Sequence, residues 1–177
     1  STVVEKSPRL MSRSAPAAMA DILLEYHRSC GIAIHLSRTV VALDEGTQEA
    51  VLDDGQRVPA GLVVVGIGVR ANDELAADAG IACDDGVFVD GWCRTTAPDV
   101  FAVGDVTRQR NPVTGRFERI ETWANAQGQA QALAAIWCNP DEAKAYDAVP
   151  WFWSDQGGAR LHCAGALTGE QQVWRVD

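Results

Sequence analysis

Gly104 and Asp105, at the end of the line TTAPDVFAVGD over residues 95–105, are the first residues whose types and spacing suggest chemistry. A glycine has no Cβ, so a flat or bulky ligand can approach the backbone there. An acid just past the carboxyl end of a strand sits at the edge where open α/β sheets bind ligands. Such a carboxylate accepts hydrogen bonds from sugar or ribityl hydroxyls. The strand is read from Val100, Phe101, Ala102 and Val103, an apolar run without alternation that suits a parallel strand covered on both faces, with Pro98 at its start. A buried strand ending in a turn Asp is the plainer alternative, and these residues alone leave the two readings level.

A second group stands at 121–124. Glu121, Thr122 and Trp123 precede a helix predicted over 124–137, with Ala126, Ala130, Leu133, Ala134 and Trp137 along its packed face and Asn139 with Pro140 ending it. A helix N-terminus offers free N–H groups and a partial positive charge, which would stabilise an anionic ligand. A core Trp at a helix start is the plainer reading of Trp123. Trp151, Phe152 and Trp153 follow a polar connector over 141–148. In an extended segment Trp151 and Trp153 share one face and Phe152 takes the other.

Two features concern dinucleotides. Glu5 closes a short opening strand, and an acid at the end of the second strand of a dinucleotide fold hydrogen-bonds the adenine ribose and disfavours a 2′-phosphate. Lys6 and Arg9 nearby would soften that preference, and an exposed strand-end Glu is the alternative. The matching glycine fingerprint belongs about 20 residues upstream, outside this sequence. Residues 66–71 satisfy G-x-G-x-x-A, but a phosphate-binding fingerprint needs a full helix after it and a crossover to a parallel strand carrying an acid. Here only a brief helix from an Asn72 cap to Ala79 follows, stopped by Gly80.

The elements that must position these residues are read in order. A strand over 2–5 leads to a helix capped by Ser14, with Pro16 in its first turn, Met19, Ile22, Leu23 and Tyr26 inside and Gly31 at its end. His27, in the last turn, faces solvent or the helix dipole. Strands follow over 32–36, 39–43 and 49–52, with a turn at Asp54 and Gly55. Further strands are expected over 62–65 and 87–89, then a loop bearing Arg108, Arg110, Arg116 and Arg119. That loop reads equally as solvated or as a docking surface for an acidic partner. The last expected elements are strands over 161–167 and 172–176, with His162 structural.

The 177 residues are 47% hydrophobic, enough to bury a core. A formal net charge of -9 argues against nonspecific nucleic-acid binding, which depends on Lys and Arg neutralising phosphates. Five cysteines without a CxxC pair point to reduced thiols in a cytoplasm. No metal site is read, no run approaches a membrane span, and the abrupt start and stop read as part of a longer protein.

With RIETWANA at 119–126, PWFWSDQ at 150–156 and EKSPRLMSR at 5–13, the line at 95–105 resembles the NADH-dependent ferredoxin reductases of bacterial aromatic-ring dioxygenases and related oxygenases, the group that includes putidaredoxin reductase. The resemblance implies an α/β fold: fragments of two Rossmann-like FAD- and NAD(P)-binding domains plus the start of an α+β C-terminal interface domain. The domains implied are 1–70 for NAD, 71–146 for FAD and 147–177 for the interface. The cofactors are FAD and NAD, and the partner is a [2Fe-2S] ferredoxin. Asp105 beside Gly104 would hold the ribityl chain. The backbone at Trp123 and Ala124 would meet the isoalloxazine, with Glu121 on the nicotinamide side and Trp153 at the flavin edge. Glu5 and Arg13 would face the dinucleotide, and Gly66, Ile67 and Gly68 would close the NAD domain near the nicotinamide. No side chain needs to be an acid or base catalyst. A related disulfide reductase or NADH oxidase, and an inactive nucleotide-binding fragment, are the alternatives.

Overall fold

The computed structural model describes residues 1–167 together with Gln172 and Val173. The chain divides into two compact units, one built on Ser1–Ile67 and the other on Gly68–Ala166.

In the first unit, β1 (Thr2–Glu5) and β2 (Ala33–Leu36) pair in parallel, Thr2 opposite Ala33 and Glu5 opposite Leu36. A parallel pair needs a crossover, and α1 (Ala17–Ser29) supplies it. The helix is not capped by Ser14. The N–H groups of Ser14 and Ala15 both turn back to the Met11 carbonyl, so the helix begins only at Ala17, with Pro16 as its N-cap and no side-chain cap. Its buried line is Ala20 and Leu23, and Ile22, expected inside, is exposed. His27 is half-buried and its ring lies 5.5 Å from that of Tyr26.

An antiparallel meander follows, β3 (Val40–Asp44), β4 (Glu49–Leu52) and β5 (Arg57–Pro59). Its inward side chains Ala50, Leu52 and Val58 make the unit's core, with Val4 and Ala60 packed against it. The Asp54 carboxylate closes a turn by accepting the Gln56 N–H at 3.0 Å, and Arg38 Nε donates to it at 2.6 Å. The expected strand over 62–65 does not form. Among the described residues β1 and β2 pair only with each other, so this apolar run has no ladder partner, and Leu62, Val64 and Val65 are exposed.

The second unit opens with α2 (Glu74–Asp78), whose N-cap is Asp73 rather than Asn72. A mixed sheet follows: β6 (Val87–Phe88) lies parallel to β7 (Thr107–Arg110), and β7 is antiparallel to β8 (Phe117–Arg119). The arginine-bearing segment is therefore a hairpin and not a loop. The run 100–103 is also not a parallel strand. Thr95 Oγ1 accepts the Ala97 N–H and donates to the Val100 carbonyl, which turns the chain back on itself. Phe101 then bridges antiparallel to Arg94, and Val100 is left exposed while the other three are half-buried.

α3 (Trp123–Cys138) matches the predicted helix to within a residue, but its buried face is rotated. Asn125 and Gln129 are the buried positions, whereas Ala130, Ala134 and Trp137 are exposed. β9 (Trp151–Gln156) and β10 (Ala159–Ala164) form a hairpin. Among the described residues, the strand read at 161–167 pairs with the tryptophan segment. Of the stretch read at 172–176, Gln172 and Val173 lie in no strand and 174–176 fall outside the described residues. His162 is exposed on β10.

Candidate functional site

Gly104 is buried with φ 82, in the left-handed region open to glycine, and presents the exposed Asp105 at the turn that follows. Among the described residues nothing hydrogen-bonds or ion-pairs with the Asp105 carboxylate. A Cβ built on Gly104 would lie 3.7 Å from Ala126 Cβ, so the turn rests on the first turn of α3. There the Thr122 hydroxyl accepts the Asn125 N–H at 3.2 Å and the Thr122 carbonyl accepts the Ala126 N–H at 3.0 Å. The N–H groups of Trp123 and Ala124 remain without a described partner, as the first donors of a helix do. A carboxylate and two unpartnered N–H groups thus stand on adjoining turns, offering an acceptor beside two donors.

Behind this surface lies a buried polar chain that sequence reasoning missed. The Gly104 N–H donates to Gln129 Oε1 at 2.7 Å, and the Thr107 hydroxyl reaches the same oxygen at 3.1 Å. Gln129 Nε2 donates to Gln109 Oε1, Gln109 Nε2 to Asn125 Oδ1 at 2.8 Å, and Asn125 Nδ2 to the Ile120 carbonyl at 3.1 Å. All four side chains are buried. Each is satisfied, as buried polar groups must be. The signal that would have found them is the i, i+4 pair Asn125 and Gln129, and the alternate residues Thr107 and Gln109 once the segment is read as a strand.

Trp123 and Trp153 meet edge-on at 5.7 Å, and Trp153 and Trp151 stand 5.6 Å apart. The alternation read for 151–153 holds, Trp151 and Trp153 being exposed and Phe152 half-buried. Arg119 Nη1 lies 2.9 Å from the Glu121 carboxylate and Nε lies 3.3 Å from that of Asp85. Arg108 is likewise engaged, 3.2 Å from the Asp84 carboxylate and over the Phe88 ring. Of the four arginines, Arg110 and Arg116 are the exposed ones. Cys93 is buried with Sγ 3.9 Å from the Gln129 carbonyl. Burial, then the Asp90 charge, pushes its thiol up, away from a reactive thiolate.

In the first unit, Glu5 ends β1 and its Oε1 accepts the Ser7 N–H at 2.6 Å. Arg9 is committed to backbone carbonyls, those of Ala15 at 2.7 Å and Ser12 at 2.9 Å, whereas Lys6 and Arg13 are exposed. Gly66, Ile67 and Gly68 are exposed and lie in no regular element, and no strand runs directly into them. The five-residue α2 begins only at Glu74, which does not meet the needs of a phosphate-binding fingerprint. The described residues contain no cluster of metal-ligating side chains and no helix long and apolar enough to cross a membrane.

This combination of a parallel βαβ unit, an antiparallel meander and a second unit carrying an Asp turn on a helix N-terminus agrees with the family comparison. Residues 1–130 match the pyridine nucleotide-disulphide oxidoreductase family, and the chain belongs to it. Within that family it is 38% identical over 179 residues to the 3-phenylpropionate/cinnamic acid dioxygenase ferredoxin–NAD(+) reductase component of Photorhabdus laumondii, spanning 99% of this chain and 44% of the relative. The covalent putidaredoxin reductase–putidaredoxin complex superposes with a TM-score of 0.89 at 32% identity, over 97% of this chain and 42% of that one. An FAD-dependent pyridine nucleotide-disulphide oxidoreductase from Desulfovibrio vulgaris does so with a TM-score of 0.81 at 26% identity, over 93% and 42%. The chain thus spans less than half the length of these relatives.

Proposed function

We propose that the protein is an FAD-dependent NADH:ferredoxin oxidoreductase, passing electrons from NADH to a [2Fe-2S] ferredoxin that supplies an oxygenase. The observation that carries this reading is the seating of the Gly104–Asp105 turn on the first turn of α3, beside the unpartnered N–H groups of Trp123 and Ala124. Bound FAD would supply the chemistry, accepting two electrons as a hydride and releasing them singly. The side chains orient and tune. In this reading Asp105 accepts hydrogen bonds from ribityl hydroxyls, and the α3 N-terminus donates to the pyrimidine edge, favouring negative charge there. Glu121, tethered to Arg119, flanks the nicotinamide side, and Trp153 covers the flavin edge next to Trp123.

Glu5 keeps Oε2 for the adenine ribose, and Arg13 faces the dinucleotide. Arg9, already bound to two carbonyls, is withheld from a 2′-phosphate, which favours NADH over NADPH. Gly66 to Gly68 would approach the nicotinamide and close the NAD domain, residues 1–70. The FAD domain would return through 71–146, and 147–177 would open the interface domain. Arg110 and Arg116 are the two of the arginine set left to steer an acidic ferredoxin.

The test is a visible spectrum of the complete protein, titrated anaerobically with NADH and then NADPH. Bleaching of a bound flavin by NADH first is the expected result. Absence of flavin, or flavin that neither nucleotide bleaches, would refute the reading. Asp105→Ala should weaken FAD binding about tenfold or more, the worth of a charge-assisted hydrogen bond.

A further inference from the structure

We infer that Gln129 is a positioning residue: through Gln109 and Asn125 it ties the Gly104–Asp105 turn to the Ile120 carbonyl, and so holds Asp105 at a fixed offset from the first turn of α3. The inference rests on the flavin reading for its consequence, but the tie is a property of the chain itself. At one end the group offered is an N–H, that of Gly104, and at the other a carbonyl, that of Ile120. An amide has one accepting and one donating end. Three amides in series between those ends can therefore run in only one direction, since reversing any one sets two oxygens or two NH2 groups face to face. The Gly104 N–H alone sets that direction at its end, while the Thr107 hydroxyl donates its one proton to the Gly104 carbonyl at 2.7 Å and lies 3.1 Å from Gln129 Oε1.

Relative exposures of 0% for Thr107, 1% for Gln129, 4% for Asn125 and 6% for Gln109 mean that water cannot replace a lost link. The chain joins three elements: the turn before β7, β7 itself and α3. Apolar packing could attach helix to sheet equally firmly, but it would tolerate sliding. A directed series of buried hydrogen bonds has one register. Ile120 stands just before the Glu121–Thr122–Trp123 segment, so the register fixed at Gly104 is delivered to the helix N-terminus.

A carboxyl group at 129 turns this logic into a readout. As an acid, Gln129→Glu keeps an acceptor for Gly104 and an O–H for Gln109. As a carboxylate it faces Gln109 Oε1, and correcting that conflict would flip Gln109, then Asn125, against the Ile120 carbonyl. Binding of FAD to the complete Gln129→Glu protein should match the parent within about threefold near pH 5.5 and fall at least about tenfold near pH 8.5, as an unmade buried hydrogen bond requires. The parent should be flat over that range.

In the unmodified protein, the Gly104 amide should exchange with deuterium at least about a hundredfold more slowly than a free peptide, because a buried, hydrogen-bonded N–H exchanges only when the structure around it opens. Gly104 exchange at the free-peptide rate, or Gln129→Glu binding FAD like the parent at both pH values, overturns the inference. If Gln129→Glu does not fold, Asn125→Ala decides: weaker FAD binding with helix content retained by circular dichroism supports the tie, and unchanged binding refutes it. If the parent takes up no FAD the flavin reading fails, and the exchange measurement alone then decides whether the tie exists.

Discussion

Gly86→Ala tests how the second unit holds the segment that leads into α3. Gly86 has φ 124, and a Cβ there would stand 2.9 Å from the Val106 carbonyl oxygen and 2.9 Å from Arg119 Cδ. Neither neighbour is free to move. The Val106 oxygen accepts the Val87 N–H at 2.8 Å where β6 meets β7, and Arg119 is held between Asp85 and Glu121. An L-residue in such a conformation costs about 1–3 kcal/mol, and forcing a methyl into a filled site costs about 1–3 kcal/mol more. Reduced freedom of the unfolded chain returns about 0.4–1 kcal/mol, so the net loss should be about 1–5.5 kcal/mol. Gly80→Ala is the control, because φ is 77 there and nothing lies within 4 Å of the added carbon, leaving only the strain of about 1–2 kcal/mol. Urea unfolding of the parent and both variants gives the comparison. Equal losses for the two variants would refute the assignment of Gly86 to a crowded joint between β7, β8 and the Arg119 tether.

Thr122→Ala should remove the one side-chain cap of α3 and cost about 1 kcal/mol in the same unfolding assay, with FAD affinity falling alongside because Trp123 and Ala124 follow directly. Asp54 is held below the usual carboxylate range by the Gln56 N–H first and Arg38 next, and Asp44 by the Thr47 N–H first and Arg57 next. Folded values lower than unfolded ones give a contribution that is complete above the ordinary carboxylate range and fades as pH falls through the folded values, so the protection of the β3–β5 amides, measured against the free-peptide exchange rate at each pH, should fall below about pH 4. Asp54→Asn should flatten its share of that acid slope. Cys93 should react with a thiol reagent far more slowly than Cys30 or Cys138, both exposed, as followed by mass spectrometry of the labelled sites.

Much of the local structure was legible in the residues. The succession of β1, α1 and β2, the strands β3 and β4 with a turn after them, and the extent of α3 follow from apolar spacing, turn residues and a helix ended by Asn139 and Pro140. Alternation placed Trp151 and Trp153 on one face of β9. These are short-range properties, set by φ/ψ preference and by which side chains fall on one side of a strand or helix. The chemistry-bearing turn was visible for the same reason, since a glycine and an acid after an apolar run declare themselves within a few residues.

Pairing and burial were decided elsewhere. The runs 62–65 and 100–103 are both apolar, yet neither is a covered parallel strand here, because a strand exists only where another backbone lies alongside it. The arginine segment became a hairpin because β7 found β6 on one side and β8 on the other. Most telling is α3, whose sequence offers a stripe of alanines and a tryptophan as the inner face, while the fold buries Asn125 and Gln129. An amide is welcome inside only when its partners are waiting, and those partners, Gly104, Thr107, Gln109 and the Ile120 carbonyl, come together only in the tertiary structure.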